Sequence, residues 1–367
     1  MSSDIILVLV VGTALAFDFT NGFNDTANVV ATTVSTGAAP PRVAITMAAI
    51  LNFVGAFISL AVAATVANDI VDSGAITTTV VFAGLIGAIA WNLITWYFGL
   101  PSSSSHALIG GIVGSSVAAA GTSAVLTDGL VGKVLIPAVV APILAFIVAG
   151  AGIVITYRVI GRLRPGPVTR GYRMGQVVSG GLLSLAHGTN DAQKTMGVIT
   201  LALVANGNLS ENASVPSWVV VAAATAIAAG TYFGGWRIIR TTGTRIIKMD
   251  AAQGFSAQGA AAAVILSSTH FGFPLSTTHV INGGVIGSGA AKRLSAVRWG
   301  VAGNIGMAWL LTLPAAAAFG AITYGITWIF GTGAAGPIVV SLIAISLVVY
   351  AFVRRARAGA PVPAAGS

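Results

Sequence analysis

Residues 43–67, 134–157 and 337–353 each run without a charged side chain. Crossing the hydrocarbon core of a bilayer as a helix takes about 20 apolar residues, whereas a barrel strand needs only about 9–11. In lipid only helices and closed barrels satisfy every backbone N–H and C=O, so runs of this length fold as membrane helices. Only 7% of the residues are charged and 56% are hydrophobic, against roughly 25% charged in soluble domains. That is too little charge to cover a water-facing surface. Frequent glycine suits helices that pack closely in lipid. The expected class is an all-α polytopic membrane protein. Residues 1–17 lack a positive leading region and a small-residue cleavage site, and read as part of a spanning helix.

A net charge of +9 would suit nucleic acid, but the basic residues sit in short stretches between apolar runs and form no basic face. Such placement orients helices in a membrane, so no nucleic-acid partner is expected. Cysteine is absent, which excludes disulfides and thiolate metal sites. No cofactor is implied. Abundant Ala, Gly and Arg with little Lys points to a GC-rich bacterial genome, and hence to the bacterial cytoplasmic membrane.

The chain repeats itself. Residues 98–118 read FGLPSSSSHALIGGIVGSSVA and residues 271–291 read FGFPLSTTHVINGGVIGSGAA, identical at 10 of 21 positions without gaps. A second pair matches Gly22-Phe23-Asn24-Asp25 with Gly188-Thr189-Asn190-Asp191. The order is the same in both halves, with offsets of 173 and 166. Five arginines and no acid in residues 158–173, with basic clusters at 237–248, at Lys292, Arg293 and Arg298, and at Arg354, Arg355 and Arg357, mark the cytoplasmic side. The acidic loops 68–74 and 205–217 fit the outside. Residues 250–291 then lie between cytoplasmic clusters, and their mates near 77–118 between outside loops. The halves are therefore expected to have opposite orientations.

Inverted repeats with broken helices are a signature of secondary transporters. The expected layout is a first inverted repeat over 1–157 with a re-entrant hairpin at about 77–118, and a basic cytoplasmic linker at 158–173. A second repeat occupies 174–353 with a hairpin at about 250–291, and a disordered cytoplasmic tail occupies 354–367. This gives eight full spans and two hairpins, or ten or more crossings where the long hairpin arms span fully, with the N-terminus outside and the C-terminus inside.

Two constellations carry chemistry. Asp18, Asn21, Asn24, Asp25 and Asn28 interrupt an apolar segment, and His187, Asn190, Asp191, Gln193 and Lys194 interrupt another. A charge at bilayer depth costs about 2.5–3.5 kcal/mol on insertion scales, which makes it a functional candidate. Gly22 and Gly188 would allow local unwinding that frees carbonyls. Free carbonyls with carboxylates suit a hard cation. The expected cation ligands are Asn21, Asn24, Asp25, Asn190 and Asp191, with Na⁺ at Asn24, Asp25, Asn190 and Asp191 as the metal reading and H⁺ as the other.

The second constellation is Pro101-Ser-Ser-Ser-Ser-His106 and Pro274-Leu-Ser-Thr-Thr-His279. Proline suits a helix start, which places the hydroxyls on a first turn whose N–H groups and dipole attract anions. Capping accounts for one hydroxyl per turn and leaves the others for a ligand. The expected substrate contacts are Ser103, Ser104, Ser105, Ser276, Thr277 and Thr278, with Asp25, Asn190 and Asp191. His106, His279 and Lys194 are read as proton-relay or structural groups.

A dianion beside two carboxylates is repelled unless Na⁺ or H⁺ neutralises them, which is a physical reason for symport. Phosphate near neutral pH keeps a P–OH donor that a carboxylate accepts, whereas sulfate has none. No G-x-S-x-G elbow occurs, and duplicated hydroxyl clusters are more than a single nucleophile needs, so no enzyme is expected. An anion channel is the alternative from another class.

At these residues the sequence resembles the inorganic phosphate transporter family, the bacterial phosphate permeases and animal sodium–phosphate cotransporters. The family's G-A-N-D-x-A-N-type signature stands here as residues 22–28 and, in its C-terminal form, within residues 187–197. Phe23 and Thr189 replace the usual alanine, and the long central loop of larger members is missing. The resemblance implies an inverted-repeat fold, phosphate bound between two hairpins, cation coupling and a homodimer. The same family includes sulfate permeases of similar length, so sulfate stands as the alternative substrate.

Overall fold

The computed structural model describes residues 2–160, 164–210, 213–234, 246–331 and 333–357. They form α1 (Ser2–Ser35), α2 (Pro41–Gly55), α3 (Ala61–Asn68), α4 (Thr78–Phe98), α5 (Ser104–Ala120), α6 (Ile136–Ile160), α7 (Pro165–Ala205), α8 (Ser217–Phe233), α9 (Ala251–His270), α10 (Thr277–Lys292), α11 (Trp299–Ile329) and α12 (Ala335–Arg357). A π-helical turn, Leu130–Leu135, leads into α6. Among the described residues the only β pairing is one isolated bridge, Val71 with Val125.

Four helical stretches are long and apolar enough to cross a membrane: Ser3–Ser35, Thr78–Phe98, Thr127–Val159 and Trp299–Ile329. Their outer faces expose Ile143, Ile147, Leu310 and Ile322. Such a rim is costly in water and natural in lipid.

Local sequence sets the helix ends. Pro41 and Pro165 open α2 and α7, where a missing N–H costs nothing. Asp250 and Gln253 form a reciprocal capping box at the start of α9. The turns α4–α5 and α9–α10 close in the same way. Gly99 and Gly272 take φ of +67° and +73°, which only glycine adopts without strain. Leu100 N donates to Thr95 O and Phe273 N to Ser268 O, at 2.9 and 3.0 Å. In each stretch two helices, α4 with α5 and α9 with α10, are joined by the same turn.

Contacts between elements are also duplicated. The second arm of each hairpin packs on a long helix of the opposite half, α5 on α11 and α10 on α6. Gly110 and Gly114 face the backbones of Leu313 and Ala317, while their mates Gly283 and Gly287 face those of Pro142 and Phe146. α1 crosses α8 where Gly22 meets Ile227 O and Gly230 meets Phe19 O. α7 crosses α2 where Gly188 meets Asn52 O and Gly55 meets Leu185 O.

These crossings correct one expectation. Gly22 and Gly188 do not unwind their helices, because α1 and α7 run unbroken through them. A Cβ at either position would collide with a neighbouring backbone, so close approach is the reason for glycine there. Two boundaries also shift. Residues 165–173 belong to α7 rather than to a linker, and α12 continues to Arg357. Residues 161–163, most of the basic loop 237–248 and the tail beyond Arg357 lie outside the described residues.

The packing gives a prediction. Gly114→Ala puts a methyl group onto the Ala317 backbone, whereas Gly132 has nothing within 4 Å of an added Cβ. Overpacking costs about 1–3 kcal/mol, so thermal unfolding in detergent is expected at a lower temperature for Gly114→Ala. Gly132→Ala is expected to match or exceed the parent.

Candidate functional site

Each hairpin turn hands over to its second arm through a serine cap. Ser103 Oγ accepts from His106 N at 3.0 Å and Ser276 Oγ from His279 N at 3.3 Å. This satisfies one of the amides that a helix start leaves over. The two helix starts touch. Ser105 Oγ donates to Leu275 O at 2.9 Å, and the rings of His106 and His279 meet edge to face, 4.7 Å between centroids. Trp309 stacks on His279 at 4.1 Å and donates Nε1 to Pro101 O at 3.2 Å.

Ser102 Oγ donates back to Thr95 Oγ1 at 2.7 Å, while Ser104, Thr277 and Thr278 turn to the aspartates. Asp25, on α1, receives Ser104 Oγ on Oδ2 at 3.0 Å, and Asn28 Nδ2 and Thr278 Oγ1 on Oδ1 at 2.8 and 3.2 Å. Asp191, on α7, receives Thr277 Oγ1 on Oδ2 at 3.2 Å and the Lys194 ammonium on Oδ1. Ser104 and Thr277 are repeat mates, so each half gives its own carboxylate the same hydroxyl. His187 lies between the acids, with Nε2 3.1 Å from Asp191 Oδ2 and 3.9 Å from Asp25 Oδ2. One ligand atom each from Asp25, His187 and Asp191 falls within 4.8 Å of the others, close enough to share a cation.

All of these side chains are buried, so the site is closed to bulk water. Its unpartnered buried atoms include Oδ1 of Asn21, Asn28 and Asn190 and both carboxylate oxygens of Asp18. Acceptors without donors are the chemistry of a cation site, so these residues fit Na⁺ or a proton on its way through.

The expected residues divide accordingly. Asp25, Asp191, Ser104, Ser105, Thr277, Thr278 and Lys194 come together in one network. Ser103 and Ser276 stand beside it with Oγ committed to the caps. Asn190 Nδ2 binds the second turn, at Thr269 Oγ1 (2.8 Å) and Phe273 O (3.1 Å). Asn21 and Asn24 are buried in the same stretch of α1. His106 and His279 pack the two helix starts together. Gln193 serves the fold, because its Oε1 accepts from Val62 N and Ala63 N at 2.8 and 3.2 Å and so caps α3 from a distance.

Sequence reasoning misses Asn52. Its Oδ1 lies 2.9 Å from His187 Nδ1 and its Nδ2 donates to Thr231 Oγ1 at 2.8 Å, which fixes the imidazole. The available signal was one amide within the uncharged run 43–67.

Buried carboxylates and hydroxyls at the centre of a helical bundle with a lipid-compatible rim define a membrane-embedded transporter. The chain belongs to the phosphate transporter family, whose model matches residues 21–169 and 163–320. It is 55% identical over 327 residues to a probable low-affinity inorganic phosphate transporter of Mycobacterium bovis, covering 89% of this chain and 78% of that one. Identity to a probable low-affinity inorganic phosphate transporter of Bacillus subtilis is 46% over 323 residues, covering 87% and 96%. A solved structure described as the sodium-dependent phosphate transporter matches the fold with a TM-score of 0.79 at 24% identity, covering 88% of this chain and 98% of that one. The expected family resemblance is therefore membership, in a family of transport proteins rather than enzymes.

Caps and carboxylate donors should separate by experiment. Ser103→Ala and Ser276→Ala each remove a cap worth about 1 kcal/mol and are expected to lower the unfolding temperature. Ser104→Ala and Thr277→Ala remove a donor from Asp25 or Asp191, and are expected to weaken substrate uptake more than stability. Paired melting and uptake measurements on the four variants check this.

Proposed function

We propose that the protein is a secondary active symporter that imports inorganic phosphate together with a monovalent cation, Na⁺ or H⁺, by alternating access. The observation that carries this reading is the convergence of two repeat-related hydroxyl turns on two repeat-related aspartates. Helix starts with hydroxyls bind a tetrahedral anion through neutral donors, while the carboxylates tolerate that anion only when cations accompany it. The closed, buried site supports access by conformational change over an open channel. In this reading the halves are inverted repeats, the hairpins α4–α5 and α9–α10 enter from opposite faces of the bacterial cytoplasmic membrane, and the N-terminus lies outside. The carboxylates, by accepting the P–OH donor, favour phosphate over sulfate.

Uptake of labelled phosphate into proteoliposomes under imposed Na⁺ and pH gradients, with sulfate and arsenate as competitors, tests the reading. Saturable uptake driven by one of the gradients is expected, with arsenate competing and sulfate not. Asp25→Asn and Asp191→Asn are expected to lower it by about 100-fold, the scale of breaking a buried charged network. Robust sulfate uptake without phosphate uptake would overturn the substrate, and passive conduction without coupling would overturn the symport.

A further inference from the structure

Lys194 and Asn28 are mates. Each lies three residues beyond its aspartate, at the same offset of 166 that relates Asp25 to Asp191. Their bonds match too. Asn28 Nδ2 donates to Asp25 Oδ1 and to Thr278 Oγ1, both at 2.8 Å. Lys194 Nζ donates to Asp191 Oδ1 and, at 2.5 Å, to Ser105 Oγ. Ser105 and Thr278 are themselves mates, at the offset of 173. One position in a duplicated site is thus a neutral amide in the first half and a lysine in the second.

The lysine's hydrogen bonds are all made within the chain. Nζ also donates to Leu275 O at 2.6 Å. The hydroxyl hydrogen of Ser105 is already directed to Leu275 O, so Ser105 accepts from Nζ. A carboxylate, a carbonyl and a committed hydroxyl are three acceptors, which match the three N–H donors of –NH₃⁺. No donor is left over for a substrate anion.

The two acids are consequently balanced in different ways. Asp191 has a full positive charge bonded to it within the chain. Asp25 has only the neutral donors Asn28, Ser104 and Thr278, with His187 Nε2 at 3.9 Å. The two carboxylates share one buried pocket, so the asymmetry bears on what must enter with the substrate.

We infer that Lys194 is a tethered coupling cation: it holds, in the second half, the place that the first half leaves for a cation from solution. This rests on the symport reading above and sharpens it. Phosphate then enters with one solution cation fewer than a symmetric pair of sites would require, and that cation binds on the Asp25 side. Lys194 is in this sense the residue that sets the coupling stoichiometry.

The test is the net charge moved per phosphate, read from zero-current potentials of proteoliposomes containing the full chain. Labelled-phosphate uptake by the parent protein is measured first. Failure there overturns the symport reading itself, whatever the Lys194 variants do. Lys194→Asn reproduces the first half in the second, and is expected to raise the charge moved per phosphate by about one elementary charge. Its phosphate binding in sodium-free choline buffer at fixed pH is expected to fall by about 100-fold and to recover as Na⁺ is added. Lys194→Arg keeps the charge and is expected to keep the parent stoichiometry.

Should Lys194→Asn fail to fold with an unpaired carboxylate, the double variant Asp191→Asn with Lys194→Asn buries no net charge. It is expected to move the same charge per phosphate as the parent. A double variant that moves one charge fewer would show that Asp191 takes a solution cation despite Lys194, and would overturn the inference. So would a Lys194→Asn protein with parent stoichiometry, or one whose binding loss no cation relieves. The last result would make Lys194 a ligand of phosphate itself.

Discussion

The constraint on which the rest of this structure depends is the burial of the repeat-related carboxylates Asp25 and Asp191 in one apolar bundle, with a third, Asp18, buried on the same helix as Asp25. Neither Asp25 nor Asp191 can be left bare, because an unpaired charge away from water costs several kcal/mol. The chain answers with donors from four segments, namely α1, α7 and the starts of α5 and α10. Ser104, Thr277 and Thr278, three of the hydroxyls of the two turns, donate to the aspartates. The apolar rim, the glycine crossings and the repeated turns serve to bring those four segments within hydrogen-bond reach.

Close packing supplies the precision. Helices that touch through glycine hold their axes nearer than side chains would allow. Here the glycines come in matched pairs, Gly22 with Gly230 and Gly55 with Gly188, at the two crossings that carry the aspartate helices. A continuous α1 and a continuous α7 place Asn28 and Lys194 one turn beyond their aspartates, where i,i+3 side chains meet. An unwound motif would have scattered those groups. The unbroken helix and the ordered network are therefore one feature.

Much of this was legible in the sequence. The uncharged runs gave the helical class, and the duplicated Pro-hydroxyl-His and Asn-Asp segments marked the two matching turns and the side chains that bond between them. What sequence reasoning missed has a common cause. Glycine signals permissiveness and close approach with the same letter, so Gly22 and Gly188 read as sites of unwinding until their neighbours are placed. The role of Gln193 depends on where α3 begins in space, and that of Asn52 on the imidazole it faces. Ser103 and Ser276 could not be told from the hydroxyls beside them, because a cap is defined by the dihedral angles of the residue and not by its type.

The same duplication makes departures from symmetry informative. The repeat keeps its turns, caps, glycines and the Asn-Asp pair while exchanging, among other positions, Asn21 for His187 and Asn28 for Lys194, two groups that lie against the carboxylates. Both exchanges add cationic capacity to the second half and none to the first. Packing does not explain this bias, because asparagine already fills the equivalent place with the equivalent bonds. Electrostatics does: the Lys194 side chain bonded to Asp191 offsets that carboxylate's charge, whereas Asp25 has only neutral donors within hydrogen-bond distance. The two turns touch through Ser105 and Leu275, and through His106 and His279. Lys194 is bonded to both of those turns as well as to Asp191, so the group that balances the second half also holds the two hairpins together.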